Sequence, residues 1–314
     1  MNPKDGYISY IVNPKSGARA SSSMNKQFEH YLSESGYDVR VSVTRHLEDA
    51  YEFATDAAVD FDCGLVVAAG GDGTIREVAH GLEGSDTSFL IVPCGTENLL
   101  ANEFGFDEKI TTVISTFEEG QVRRLDLGCV NGRCFTSVVG VGFDGEVVHR
   151  VSCEREGHID YLDYFWPIWR TFWNYKFEPL RVEVDGDEVF DGRGIVIVGN
   201  ISKYALGLGI AKNADYNDGR LDVCVYKCGT QLGLARHSLM TIFKHHVDST
   251  NVIYRQCAKV RVSSKFSQVK SEIDGDPGPE LPIEIEVIPD AVGCLVPRDS
   301  RPAGIRTRLL RALG

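Results

Sequence analysis

The sequence predicts an α/β plus β chain: an N-terminal parallel α/β domain followed by a mainly antiparallel β domain. Three observations carry this. Apolar strands alternate with helical patterns through the first hundred residues, an order that implies a parallel sheet covered on both faces. Three of those strands run into polar, glycine-containing turns. These are Asn13-Pro14-Lys15-Ser16-Gly17, Gly70-Gly71-Asp72-Gly73-Thr74 and Pro93-Cys94-Gly95-Thr96-Glu97-Asn98. Beyond about Arg123 the pattern changes to short strands separated by hairpin signals.

Taken in order, Tyr7–Val12 is a strand, Met24–Glu34 a helix closed by Gly36, and Asp38–Thr44 an alternating strand. Glu48–Val59 reads as an Ala-rich helix, and residues 65–69 as a buried strand because the run is unbroken and apolar. In the helix that follows, Ile75, Val78, Ala79 and Leu82 share one face. Residues 89–92 are the fourth strand, and short helices are expected at Asn98–Glu103 and Thr111–Glu118. In the second half, strands at Arg124–Val130 and Cys134–Val139 flank Asn131-Gly132, a strong hairpin signal. Leu180–Val184 and Val189–Gly199 flank Asp185-Gly186-Asp187, and strands follow at Leu221–Tyr226, Val252–Ser263, Gln268–Ile273 and Ile283–Ile288. Helices interrupt at Gly145–Val151, Asp160–Trp173 and Leu232–Phe243. The expected division is 1–122, 123–296 and a basic tail, 297–314.

Composition narrows the function classes. A net charge of −12 argues against a nucleic-acid partner, which calls for a basic face. No apolar run approaches the roughly 20 residues that span a bilayer, and Met1–Asp5 lacks the apolar region of a secretory signal. Nine cysteines without a CxxC pair suggest buried, reduced thiols in a cytoplasmic protein.

The chemistry starts at Gly70–Thr74. Strand, glycine turn and helix together aim free backbone N–H groups at an anion, and glycine lets the main chain approach phosphate. Asp72 would repel a phosphate unless a cation stood between them, and the Mg²⁺ carried by ATP supplies one. A tight turn with a solvated Asp is the plain alternative. In a parallel sheet, however, all three turns converge on one crevice.

Together these turns resemble the lipid-kinase family of diacylglycerol kinases and sphingosine kinases, which shares its fold with NAD kinase. GGDGT is fairly specific for that superfamily, and the PxGTxN-type turn points to the diacylglycerol-kinase branch; the likeness runs over roughly residues 5–290. It implies a nucleotide-binding set of Asn13, Ser16, Gly17, Thr44, Gly70, Gly71, Asp72, Gly73, Thr74, Ile75, Arg76, Thr96 and Asn98. Asp274-Gly275-Asp276 resembles the family's DGE turn, whose Asp is proposed as general base, so Asp274 is the candidate base and Asp72 its rival. Removing the acceptor's proton as the P–O bond forms is work for a carboxylate within hydrogen-bond reach. On its own, Asp-Gly-Asp is also an ordinary hairpin turn, as at Asp185.

The resemblance further implies a structural Mg²⁺ held by the Asp218 side chain and the backbone carbonyls of Asp215 and Arg220. A solvated Asx-turn is the alternative there. Departures from the family pattern are Lys212 where a proline is usual, Asp276 for Glu, and Leu99-Leu100 after Asn98.

Two further stretches bear on a membrane. Asp160–Phe177 is crowded with aromatics at three and four spacings, which suits core packing, an acyl-channel wall or an interfacial element. Pro167 is expected to kink or restart that helix. The tail carries Arg298, Arg301, Arg306, Arg308 and Arg311, which suits a solvated tail or a peripheral membrane anchor. The resulting reading is an ATP- and Mg²⁺-dependent kinase acting on a lipid hydroxyl at a membrane surface, with diacylglycerol as acceptor. The alternatives are a sphingoid or ceramide kinase, an NAD kinase, and a nucleotide-binding regulator without catalysis. Oligomeric state is not legible.

Overall fold

The computed structural model describes residues 6–300 apart from 17–18, 108, 155–160, 205–207, 244 and 267, and every structural statement concerns those residues. The first half comprises β1 (Tyr7–Val12), α1 (Arg19–Glu34), β2 (Asp38–Val43), α2 (Glu48–Val59), β3 (Cys63–Gly70), α3 (Asp72–Gly81), β4 (Phe89–Pro93), α4 (Leu99–Phe104) and α5 (Ile110–Glu119). β2, β1, β3 and β4 lie side by side, all parallel. β3 and β4 are enclosed on both faces because neither offers a polar side chain to water.

The second half comprises β5 (Gln121–Val130), β6 (Arg133–Phe135), β7 (Val138–Val141), α6 (Phe143–Glu154), α7 (Tyr161–Asn174), β8 (Pro179–Val184), β9 (Asp187–Gly199) and β10 (Leu221–Lys227). It continues with α8 (Gln231–Ile242), β11 (Val252–Cys257), β12 (Lys259–Ser263), β13 (Ser271–Ile273), β14 (Asp276–Pro277) and β15 (Ile283–Val296). β7, β9 and β10 are antiparallel neighbours whose side chains alternate between two cores. Val139, Val196, Val198 and Val223 face a sandwich interior shared with Val182, Val260 and Ile285. Val138, Ile195, Ile197 and Tyr226 face the other way, under Leu234 of α8 and Phe172 and Tyr175 at the end of α7. β15 returns to the parallel sheet, where Cys294 and Leu295 pair with Phe89 and Leu90 of β4.

Several expected strands are altered for identifiable reasons. Cys134–Val139 breaks between β6 and β7, because the N–H groups of Thr136, Ser137 and Val138 turn onto the Asp274 carboxylate. Val252–Ser263 divides at Ala258. β11 pairs with β10, whereas β12 pairs with β8 and β15, and the Ala258 N–H donates to Asp185. Gln268–Ile273 shortens to Ser271–Ile273, and α7 runs through Pro167. The expectation of nine reduced thiols is also corrected. The two-residue turn Asn131-Gly132 sets Cys129 opposite Cys134, and these two form a disulfide. Seven other cysteines are free, with only Cys153 exposed. Residues 301–314, which hold most of the basic tail, lie outside the described residues.

Candidate active site

The three turns at the carboxyl ends of β1, β3 and β4 are tied to one another. Asn13 Nδ2 donates to Thr74 Oγ1 at 3.1 Å, and the Gly71 N–H donates to Ser16 Oγ at 3.3 Å. The Cys94 N–H reaches Gly70 O at 2.8 Å. A Cβ on Gly95 would stand 2.7 Å from Gly71 Cα, so the second and third turns pack backbone to backbone and tolerate no side chain there. Gly70 is similarly confined, its absent Cβ overlapping Thr74. Gly71 has φ −90°, an angle open to any residue, so close approach and not backbone strain demands glycine. Thr44 is buried just after β2, its N–H on Val12 O at 2.9 Å. Thr96 is exposed on the third turn, and Gly17 lies outside the described residues.

Three members of the expected nucleotide set have other duties. Ile75 is wholly buried in the first core, and its N–H donates to Gly71 O at 3.0 Å. Asn98 is left-handed (φ +48°) and spends its amide on its own turn, accepting from Gly95 N at 2.7 Å and donating to Gly95 O at 2.9 Å. Arg76 is the most firmly held, because its guanidinium is entirely enclosed. It donates to Glu77 Oε1 at 2.9 and 3.1 Å, to Ile273 O at 2.9 Å and to Asp276 Oδ2 at 3.0 Å. It fastens the Asp274–Asp276 turn to the phosphate helix, and Arg133 supports Glu77 from 3.5 Å.

The two candidate bases differ sharply. Asp274 (φ +48°) is buried with its carboxylate saturated. Oδ1 accepts from Ser137 N at 3.0 Å and Val138 N at 2.8 Å, and Oδ2 from Thr136 N at 2.9 Å and its hydroxyl at 3.2 Å. Burial raises its pKa, while Arg76 and the three N–H groups oppose the rise. Asp72 opens α3 half-buried, with Oδ1 accepting from Leu99 N at 2.6 Å. Burial first and the Asp274 charge second push its pKa up to about 7, the range suited to a general base near neutral pH. Asp276 Oδ2 faces the same turn, 3.1 Å from where a Gly73 Cβ would stand.

Beneath β13 lies a carboxyl pair that the sequence did not single out. Glu272 Oε2 accepts from Gly275 N at 2.8 Å, and a Cβ on Gly140 would strike both Asp144 Oδ2 and Glu272 Oε1. Burial raises both pKa values, and the neighbouring Asp144 charge raises that of Glu272 further.

At the expected metal turn, Asp218 Oδ1 accepts from Arg220 N at 3.0 Å, which is an Asx-turn. Asp126 and Asp222, which sequence reading passed over, face the same region. Asp126 Oδ2 accepts from Gly219 N at 2.7 Å, and burial with neighbouring acids pushes Asp222 up to about 6. Burial is the main cause that raises the pKa of Asp126, Asp218 and Asp222, and the Asp215 charge adds to each. Such mutual repulsion fits a cation, although the carboxylate oxygens do not converge as a three-ligand cluster. Among the described residues only His80, Glu83 and Cys134 do so, and Cys134 is already in the disulfide. A cation at this turn therefore needs backbone carbonyls as well.

Comparison with known proteins assigns both halves of the chain. Residues 8–130 match the model of the diacylglycerol kinase catalytic domain, and residues 137–296 that of the YegS C-terminal NAD kinase beta sandwich-like domain. A diacylglycerol kinase of Mycobacterium tuberculosis is 31% identical over 301 residues, covering 93% of this chain and 96% of the relative. The diacylglycerol kinase of Bacillus subtilis is 27% identical over 294 residues, covering 92% and 96%. Among solved structures, a Bacillus anthracis diacylglycerol kinase superposes with a TM-score of 0.69 at 18% identity, covering 94% of this chain and 98% of that one. Yeast NADH kinase superposes at 0.53 and 15% identity, covering 99% and 89%. The fold and the converging turns define a kinase of the NAD kinase-like class. Within it, the chain belongs to the diacylglycerol kinase family, whose members are phosphotransferases acting on an alcohol group.

Proposed function

We propose that this protein transfers the γ-phosphoryl group of ATP to the hydroxyl of a membrane lipid, with diacylglycerol as acceptor and phosphatidic acid as product. The observation that carries the reading is Asp72. It is a carboxyl group with a pKa of about 7 at the head of α3, where three backbone-tied turns meet the Asp274–Asp276 turn. The N–H groups and hydroxyls of Asn13–Ser16, Gly70–Thr74 and Gly95–Thr96 would cradle the phosphates, with Thr44 at the crevice edge. Asp276, facing the same turn, is the carboxylate that would hold Mg²⁺, which supplies charge neutralisation for the transferring phosphoryl group. The acid-rich turn at Asp215, Asp218 and Arg220, with Asp126 and Asp222, would hold a second, structural cation.

Asp72 takes the proton of the attacking hydroxyl, while Asp274 acts as a positioning residue. Its four hydrogen bonds bind the β13–β14 turn to Thr136–Val138 and leave no lone pair for the acceptor. Arg76 holds that turn against the phosphate helix, so acceptor and nucleotide sides keep register. The natural setting is the cytoplasmic side of a membrane, which the protein approaches without crossing. No helix among the described residues is long and apolar enough to span one.

The test is transfer of label from γ-³²P-ATP to separate vesicles bearing diacylglycerol, ceramide or sphingosine, with NAD as a soluble acceptor. Label is expected in phosphatidic acid. Label in NAD with none in any lipid would replace the reading by a dinucleotide kinase.

A further inference from the structure

We propose that the outer face of the α7–α8 layer docks on the surface of an anionic phospholipid bilayer. The inference rests on the lipid-kinase reading for its purpose, though its evidence is separate. All three tryptophans of the chain, Trp166, Trp169 and Trp173, fall at i, i+3 and i+7 on α7 and are 64%, 49% and 58% exposed. On α8 and its C-cap, Leu232, Leu239 and Phe243 recur on one side at 81%, 56% and 68% exposure. These are not core residues turned outward by a poorly packed helix. The inner face of α8 is complete, with Leu234, His237 and Thr241 buried. The inner side of α7 is likewise engaged, through Thr171 and Phe172.

Both helices cover the same face of the second sheet, and Gln231 Nε2 at the head of α8 donates to Tyr175 O just past the end of α7 at 3.1 Å. Exposed Leu and Phe alone would suit any apolar partner. Tryptophan, with an apolar body and one N–H, is the residue that settles at headgroup depth.

Charge selects the occupant. Over α7, α8 and the residues that follow each, 161–176 and 231–246, the sequence carries Arg170, Lys176, Arg236 and Lys244 against a single acid, Asp163, in a chain of net charge −12. Arg170 shares the tryptophan face of α7 by helical spacing, and Arg236 borders a shallow apolar hollow of about 370 Å³ beside Leu232, Leu239 and Phe243. Apolar faces bordered by cations, on a body that an anionic surface otherwise repels, are the pattern of an interfacial helix layer. The layer is also coupled to the site, since α7 packs on α6 and α6 on β13 and β14. Docking there would present the crevice to an acceptor that never leaves the bilayer.

Because every tryptophan lies on α7, intrinsic fluorescence reads docking directly. Full-length protein is mixed, without ATP, with phosphatidylcholine–phosphatidylglycerol vesicles that contain no acceptor lipid. A blue shift, quenching by acyl-brominated lipid and salt-sensitive co-sedimentation are expected. The double variant Leu232→Ser/Leu239→Ser and, separately, Arg170→Gln/Arg236→Gln should each weaken co-sedimentation by about tenfold or more. Both should keep wild-type activity on a short-chain, water-soluble acceptor. Unchanged emission with equal sedimentation of wild type and variants would overturn the proposal. So would a blue shift that tracks protein concentration without lipid, which would assign the face to a second copy of the chain. Docking without phosphoryl transfer to any lipid would instead count against the kinase reading alone.

Discussion

Asp72→Asn is expected to lower turnover by about 10²–10⁴-fold, the usual cost of a lost general base. The fold should persist, because the amide oxygen can still accept from Leu99 N–H as Asp72 Oδ1 does at 2.6 Å. The pH dependence follows from the raised pKa. The base works ionised, so wild-type kcat/KM should climb with pH through about 7 and level above it. Bound Mg²⁺ favours the ionised form, so the acid limb of kcat should lie lower than that of kcat/KM. Stability runs the opposite way. The folded-state pKa lies above the unfolded value near 4, so the native state binds the extra proton. The stability this group contributes is lost as pH rises between about 4 and 7. Asp72→Asn should therefore lose less stability than wild type over that interval in urea titrations. Asp274→Asn is the control. It places an amide N–H against backbone donors, so it should damage folding along with activity. Normal turnover in Asp72→Asn with a dead but stable Asp274→Asn would return the base to Asp274.

Arg76→Met is expected to be the most destabilising single change at the interface, costing about 3–5 kcal/mol. The guanidinium is wholly enclosed, and removing it leaves the Glu77 and Asp276 carboxylates without their shared cation and takes a donor from the Ile273 carbonyl. Arg133 at 3.5 Å keeps part of the Glu77 charge paired, which sets the loss nearer the lower end. Arg76→Lys should recover little, since one ammonium cannot meet a carbonyl and two carboxylates in the fork geometry that arginine supplies. A double-mutant cycle with Asp276→Asn should give a coupling of about 0.5–3 kcal/mol. A loss below about 1 kcal/mol for Arg76→Met would equate this network with a surface ion pair and remove its proposed part in holding the turn.

How much of this was legible in the sequence depended on distance along the chain. β3 and β4 announced themselves because a strand enclosed on both faces has no room for polar side chains. The glycine turns were legible as turns, and their adjacency followed from parallel strands. What was hidden is the contact between Gly71 and Gly95, which leaves no space for a Cβ on Gly95 and little for one on Gly71. Arg76 read as a neighbour of the phosphate turn. Its partner Asp276 is 200 residues away, and no local pattern says that the side chain points inward. Asp274 and Asp185 open turns of like backbone geometry, with φ of +48° and +50°, and both accept main-chain N–H groups. Only burial and Arg76 distinguish them. The Cys129–Cys134 pair was within reach, since the Asn131-Gly132 turn already set the two residues opposite each other. It was missed because thiols were judged by CxxC spacing and not by hairpin register.

The central claim is that one crevice brings the γ-phosphoryl group of ATP to a lipid hydroxyl. Mass spectrometry of the lipid formed from γ-¹⁸O-labelled ATP and mixed vesicles of diacylglycerol, ceramide and sphingosine tests it most directly. The predicted product is phosphatidic acid carrying the labelled phosphoryl oxygens, with unmodified ceramide and sphingosine. Labelled inorganic phosphate as the sole product, with every lipid recovered unchanged, would contradict the claim.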